Sequence, residues 1–425
     1  MGFSWARFYL MEGTIVIGHY YAVSLDLDNG VMGSYTLHLI ALVDRFPLEG
    51  FMTRFRTVFS VLVLLVLFAT TSIAQDVSAS LTPGKAELQS AGVMTFGANG
   101  VLFVADSIGA TIYAIDTQDR TASTASSMTV TGLRDKVAGL LGTTADQVLI
   151  NDVVVNPISK NAYVSVARGL GPAATPVIVR VTPAGALSTL SLDNVRHSKV
   201  ALPNPGNVGT GRGNARAQSV TDMGIADGRL FVAGLSNEEF ASTLRSVPLP
   251  FPTSIDKGTS IEIWHGNHNR FETNAPVRVF VPYKIGQQEN ILAAYTCTPL
   301  VKFDVANLKP GSKVVGTTIA ELGSGNNPLD MIVYNKDGKE YFLMSNDRRG
   351  IMKLPTTNLG SIAAITARVP NDVVGPSGVQ GTAGVPYETI ATLTNVRQLD
   401  KFNDQLALVL QENSGSLDLK TVPLP

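Results

Sequence analysis

From residue 93 onward the chain repeats one pattern: a short apolar segment, a tight polar turn, a second apolar segment, a polar loop and a third apolar segment. The first copy runs 93–96, turns over Gly97-Ala98-Asn99-Gly100, and continues as 101–105 and 111–115. Later copies follow at 153–181, 223–247, 277–303, 331–354 and 396–422. The middle segments begin at 101, 162, 229, 290, 340 and 405, so the spacing is irregular, but each copy has the same grammar. Segments rich in Val, Ile, Leu, Phe and Tyr, punctuated by Gly, Asn and Asp, read as antiparallel strands joined by hairpins. A fourth segment follows most copies, at 127–131, 186–192, 260–264, 317–322 and 362–369. Four strands per unit in about six units predict an all-β fold, a six-bladed β-propeller. The long stretch 250–285 keeps a seven-bladed ring open as the alternative.

The sixth copy runs out close to residue 425 without an outer strand, whereas 83–89 precedes the first copy unassigned. The expectation is that 83–89 pairs with 416–422 and closes the ring, since an open blade would leave backbone groups without partners. One helix is predicted at 133–141, and 203–217 is a Gly-, Asn- and Arg-rich insertion.

The residues before the repeats read differently. Met52-Thr53-Arg54-Phe55-Arg56 is basic, an apolar run follows to Ala69, and Ser72-Ile73-Ala74 places small side chains before Gln75. Charged start, apolar middle and small-residue end describe an export signal over 52–74, cleaved to release a secreted or periplasmic domain over 75–425. The apolar run is shorter than the roughly twenty residues a membrane span needs, so no stable span is expected after cleavage. An export signal normally opens a chain, and 1–51 is therefore read as an upstream extension that is not native or is disordered.

Composition narrows the function classes. Lys and Arg number 33 against 34 Asp and Glu, which gives no electrostatic footprint for nucleic acid. One cysteine excludes an intramolecular disulfide framework and any CxxC metal module. There is no P-loop and no G-x-S-x-G.

Two stretches carry a family resemblance. Leu102-Phe103-Val104-Ala105-Asp106-Ser107 with Thr111-Ile112-Tyr113-Ala114-Ile115-Asp116, and Pro328-Leu329-Asp330-Met331-Ile332-Val333 with Lys336-Asp337-Gly338 and Tyr341-Phe342-Leu343, resemble the repeats of NHL and SMP-30-like β-propellers of the secreted bacterial type. The resemblance implies the fold; SMP-30-like enzymes also hold a divalent metal at the channel mouth with carboxylate and amide ligands.

Candidate chemistry falls into two groups. Asp152, Asp222 and Asp330 each stand where an inner strand begins, so their carboxylates are placed to converge near the channel mouth and to hold Ca²⁺ or Mg²⁺ through oxygen. The competing reading is that each aspartate accepts backbone N–H groups and locks a turn. The second group is His265-Gly266-Asn267-His268 with Arg270 and Glu272, a cluster suited to zinc, copper or acid–base chemistry. Cys297 reads as a buried structural thiol, and serves as a nucleophile only if the fold brings a histidine to it. The rim loops add Glu238, Asn346 and Arg348 as binding candidates. The functional expectation is an exported, monomeric binding protein that takes a small molecule, glycan or protein partner on one rim and at the channel mouth. The alternative is a metal-dependent hydrolase or lactonase of the SMP-30-like kind, and a third reading places copper at His265 and His268 in an oxidoreductase.

Overall fold

The computed structural model describes residues 9–11, 14–16, 77–209, 214–297 and 299–425. The export signal and nearly all of 1–51 lie outside the described residues; within that region Tyr9–Met11 and Thr14–Val16 pair antiparallel. No helix among the described residues is long and apolar enough to cross a membrane.

Residues 77–425 form a six-bladed β-propeller. Numbered by the chain order of their inner strands, blades 1 to 6 begin with Met94–Phe96, Val148–Val155, Asp222–Ala226, Val277–Ile285, Pro328–Lys336 and Val396–Lys401. The second and third strands follow by hairpins, as the alternation predicts; in blade 5, for example, Lys339–Asn346 pairs with both Pro328–Lys336 and Gly350–Pro355. The stretch 250–285 holds the outer strand of blade 3, Thr259–His265, and the inner strand of blade 4. Among the described residues the ring therefore has six blades and no seventh.

Its order is not the order of the chain. Each of the six apolar clusters lies between two blades: 1 with 3, 3 with 4, 4 with 5, 5 with 6, 6 with 2, and 2 with 1. The inner strands touch in that same sequence. The chain builds blade 1, then blade 2 on one side of it, then returns to build blade 3 on the other. Two outer strands record these crossings. Val195–Ala201, which follows blade 2, pairs with Thr111–Asp116 and completes blade 1. Thr129–Val130, which follows blade 1, pairs with Ser416–Pro423 and completes blade 6.

The closure expected from 83–89 is thus corrected. Thr82–Gly84 lies on the outside of blade 1 against Val195–Ala201, and the last blade is closed from 129–130. Steric fit explains the choice: Met128 and Val130 are buried beside Leu417 and Leu419, Thr421 accepts the Met128 N–H, and Asp418 accepts the Gly132 N–H. The helix forms as predicted at Leu133–Leu141, and its Leu133, Val137 and Ala138 cover the core between blades 2 and 6. The outer strand expected at 362–369 does not form. Glu388–Thr389 takes its place in blade 5, and 362–369 instead runs over the outer strands of blades 3 and 4, where Val369 N–H bonds to Gly266 O and Ile365 N–H to Thr318 O.

Neighbours cover the exposed edges, which would otherwise offer unpaired backbone groups. Lys313–Val315 pairs parallel with the outer strand of blade 3, and Thr382–Gly384 pairs with that of blade 4. If 128–130 is the seam of the ring, Met128→Ala should lower the unfolding free energy by about 2–5 kcal/mol, as for other buried methionines. Urea denaturation of the full chain measures this, and a loss below about 1 kcal/mol would show that the ring does not depend on this segment.

Candidate functional site

The inner strands enclose a central cavity of about 380 Å³. In blades 2, 4, 5 and 6 the inner strand carries a bulge near its entry, and the first paired residue beyond it is Asp152, Val279, Asp330 or Gln398. Blade 3 presents Asp222 at the start of its strand. A bulge re-aims the side chain that follows it, here toward the axis. Asp152, Asp222 and Asp330 line the cavity together, as their positions in the sequence predict.

Two lining residues that the sequence reading missed complete the group. Asp400 lies two positions beyond Gln398, and a strand returns to the same face every second residue, so both face the cavity. With its amide nitrogen turned to the carboxylates, Gln398 donates to Asp152 Oδ1 at 3.1 Å and to Asp330 Oδ2 at 2.9 Å. The signal available in the sequence was the pair Gln398 and Asp400, two apart and so on one face of the inner strand Val396–Lys401.

None of these aspartates simply locks a turn. Each reaches the inner strand of the next blade and accepts a backbone N–H there: Asp152 from Met94 at 2.6 Å, Asp222 from Phe280 at 2.5 Å, Asp330 from Leu399 at 2.8 Å and Asp400 from Val155 at 2.7 Å. The four latches run the same way round the ring, 3 to 4, 5 to 6, 6 to 2 and 2 to 1. Asp222, Asp330 and Asp400 also accept the N–H of the residue that follows each of them.

Burial sets the electrostatics. It pushes Asp152 up to about 7, against the Met94 and Val153 N–H groups that favour the charged form, and Asp400 adds repulsion. Asp222 rises to about 8 by burial, with the Phe280 and Met223 N–H groups opposing and Asp152 adding repulsion. Burial raises Asp400 to about 6, and burial together with Asp152, Asp222 and Asp400 holds Asp330 well above the usual carboxylate range. Among the described residues of the lining the one basic side chain is Lys401, and it is paired with Asp404 at 2.8 Å.

The second predicted group lies on the same rim as the channel mouth, at the outer strands of blades 3 and 4. His265 ends the outer strand of blade 3 and is 1% exposed. Glu272 holds both rings by Nδ1, His265 at 3.1 Å and His268 at 2.7 Å, and the ring centroids lie 3.7 Å apart. Burial pushes the Glu272 carboxyl up, but hydrogen bonds from His265, His268 and Arg270 outweigh it and hold it near about 2. Cys297 is partly exposed, and the fold does bring it to the histidines: one ring nitrogen of each and the Cys297 Sγ lie within 4.8 Å of one another. The expectation of a buried thiol is corrected, and the proximity of a histidine on which a nucleophilic role depended is present. Separation along the chain hid the meeting, because Cys297 sits in the loop between the second and third strands of blade 4, far in sequence from the outer strand of blade 3. Glu321, from the outer strand of blade 4, is fully buried with Oε2 at 3.9 Å from His265 Nε2. Burial pushes it up to about 8, against N–H groups of Gly266 and Asn267.

The remaining candidates are placed apart. Glu238 accepts from Asn204 at 3.0 Å. Asn346 is buried, its Oδ1 accepting the Arg348 and Arg349 N–H groups and its Nδ2 donating to Asn326 at 2.7 Å. Asn326 O in turn accepts the Cys297 N–H, so Asn346 supports the Cys297 loop through one residue. Arg348 is exposed on the rim.

No protein-family model matches the chain, and no curated protein matches it in sequence. Among solved structures the chain is similar to hydrazine synthase of Kuenenia stuttgartiensis, at 11% identity over 80% of this chain and 97% of that one with a TM-score of 0.34. It is similar to a glucose dehydrogenase at 11% identity, over 81% and 100% of the two chains with a TM-score of 0.29. It is also similar to the alpha-L-arabinanase of Cellvibrio cellulosa at 11% identity, over 66% and 99% with a TM-score of 0.27. Likenesses this distant carry no argument about activity, and the NHL and SMP-30-like resemblance rests on the repeat residues alone.

The raised carboxyls make a signed prediction. Between about pH 4 and the folded values near 7 and 8 for Asp152 and Asp222, the folded protein holds more protons than the unfolded chain. Stability must then fall as pH rises through that window. The melting temperature of the metal-free protein should decline from pH 5 to pH 8, and Asp222→Asn, neutral throughout, should flatten the decline. An equally steep profile in the variant would mean that Asp222 is ionised across the whole range.

Proposed function

We propose that this propeller is an exported binding protein whose channel mouth holds a hard divalent cation, Ca²⁺ or Mg²⁺, and with it a small ligand presented to the rim. The observation that carries the reading is the convergence of Asp152, Asp222, Asp330 and Asp400, with Gln398 between two of them, on one cavity. The donors are all oxygen and sit on rigid inner strands, which suits these ions. The backbone latches do not exhaust them, because each carboxylate oxygen has two acceptor sites. A cation would relieve the repulsion and desolvation that raise these groups. Export rests on the pattern of 52–74, and the near-neutral charge argues for a small-molecule, glycan or protein partner and against nucleic acid.

One observation favours the alternative, a metal-dependent hydrolase of the SMP-30-like kind. Asp152 at about 7 and Asp222 at about 8 have proton affinities matched to general acid–base work at neutral pH. Turnover of lactone or ester substrates that requires the same ion and is lost in Asp152→Asn would move the assignment from binding to catalysis.

Calcium titration of the full chain, freed of metal by chelator, tests the cation. A ligand at a hundredfold excess over its dissociation constant stabilises the native state by about 2.7 kcal/mol, so the melting temperature should rise with Ca²⁺ or Mg²⁺ and fall again on chelation. Asp222→Asn should lose most of the rise. If neither ion shifts the melting temperature at millimolar concentration, the aspartates serve the ring alone and the proposal fails.

A further inference from the structure

We propose that His265, His268 and Cys297, with Glu321 as fourth donor, form a binding site for a divalent transition metal that accepts imidazole and thiolate together, zinc(II). The site is separate from the channel and shares no residue with it.

Four observations point to a ligand. First, the donors are gathered: one nitrogen of each imidazole and Sγ lie within 4.8 Å of one another. Around a tetrahedral zinc, with Zn–N about 2.0 Å and Zn–S about 2.3 Å, such donors stand about 3.5 Å apart, so small side-chain rotations close the set. Second, both rings are already oriented. Glu272 accepts at Nδ1 of His265 and of His268, which leaves Nε2 of each ring free of that carboxylate. A carboxylate behind a histidine is the usual outer support of a metal ligand, fixing its tautomer and direction. Here a single carboxylate supports two.

Third, two buried polar atoms that face each other beside the donors are unpaired. His265 Nε2 and Glu321 Oε2 have no hydrogen-bond partner although both side chains are 1% exposed or less. Unpaired buried polar atoms are rare and call for a partner. The other Glu321 oxygen is fixed by the Gly266 N–H, so Oε2 is held toward His265. Fourth, the sulfur is presented. Cys297 takes a left-handed backbone with φ 63°, unusual for a residue with a β-carbon. Its N–H is tied to Asn326 O at 2.7 Å, and the Gly325 N–H points at Sγ at 3.4 Å, a donor that a thiolate ligand accepts. Cys297 is partly exposed and His268 is 39% exposed, so an ion can enter from the rim.

Bound there, the ion would join the outer strand of blade 3, which ends in His265, to the outer strand and the Cys297 loop of blade 4. The donor set also separates the two proposed sites by chemistry. Thiolate and imidazole select zinc over calcium or magnesium, and the oxygen-lined channel does the reverse.

Cobalt(II) under anaerobic conditions is the probe, because it reports tetrahedral geometry and sulfur ligation in one spectrum. The full chain should bind one equivalent, with intense visible bands and a sulfur-to-metal charge-transfer band, and zinc(II) should displace it. Cys297→Ser, a near-isosteric change expected to melt with the wild type in chelator, should lose the charge-transfer band. His265→Gln should abolish saturable binding. Glu272→Gln should keep the bands but weaken affinity about 10- to 100-fold. Asp222→Asn should leave the titration unchanged, which separates this site from the channel. A titration without saturation near one equivalent, or a charge-transfer band that persists in Cys297→Ser, would overturn the proposal.

Discussion

The structure depends on one packing constraint. A four-stranded blade has two apolar faces and cannot bury both alone, so each blade is stable only between two others, and the last must meet the first. Every large apolar cluster in 77–425 lies between blades. The aspartate latches belong to the same constraint. Where the inner strands splay at the channel, Asp152, Asp222, Asp330 and Asp400 span from one blade to the next and satisfy N–H groups that the hairpins leave open. They sit at the narrowest part of the ring because only there does a short side chain reach across.

That placement has an electrostatic consequence. A carboxylate that accepts backbone N–H groups is favoured in its charged form, yet four of them around one small cavity repel and lose part of their contact with bulk water. Burial wins over the hydrogen bonds at every one of the four. The ring thus gains alignment between blades while it collects negative charge, or protons, on its axis. Gln398 reduces the conflict in one place, since it is a neutral donor between Asp152 and Asp330. The same side chains therefore serve both the fold and the proposed cation site, and the two roles reinforce each other.

What the sequence disclosed and what it hid follow from how far each feature reaches along the chain. Hairpins are local, and short apolar segments joined by polar turns placed the first three strands of all six blades. The turns hold Asn-Gly, Asp-Gly or Gly-Gln in blades 1, 3, 4 and 5, and are Asn-rich or Asn-Asp in blades 2 and 6. Outer strands are not local. Residues 127–131 were legible as a strand but not as a strand of blade 6, because its partner at 416–423 is nearly the whole domain away. The exchanged positions of blades 1 and 2 were hidden for the same reason: every blade has the same pattern, so the pattern cannot rank neighbours. Asp152, Asp222 and Asp330 were each expected where an inner strand begins; Asp222 does open its strand, whereas Asp152 and Asp330 follow a bulge inside theirs. Asp400 was missed because the bulge before Gln398 shifts the inward face, and a bulge leaves no mark in the alternation.

The histidine–cysteine cluster shows the same rule from the other side. His265, His268 and Glu272 lie within eight residues and were read as one group, while Cys297 and Glu321 enter from a different blade. What unites them is the local contact between the outer strands of blades 3 and 4, which brings the end of one beside the Cys297 loop of the other. The segment 362–369, which does not form the outer strand expected in blade 5, instead hydrogen-bonds to Gly266 and Thr318 next to this group. The two candidate centres on this rim then differ in kind because they arise differently. One comes from short side chains forced together where inner strands crowd the axis, and it is all oxygen. The other comes from the open periphery, where strand ends have room for imidazole and thiol.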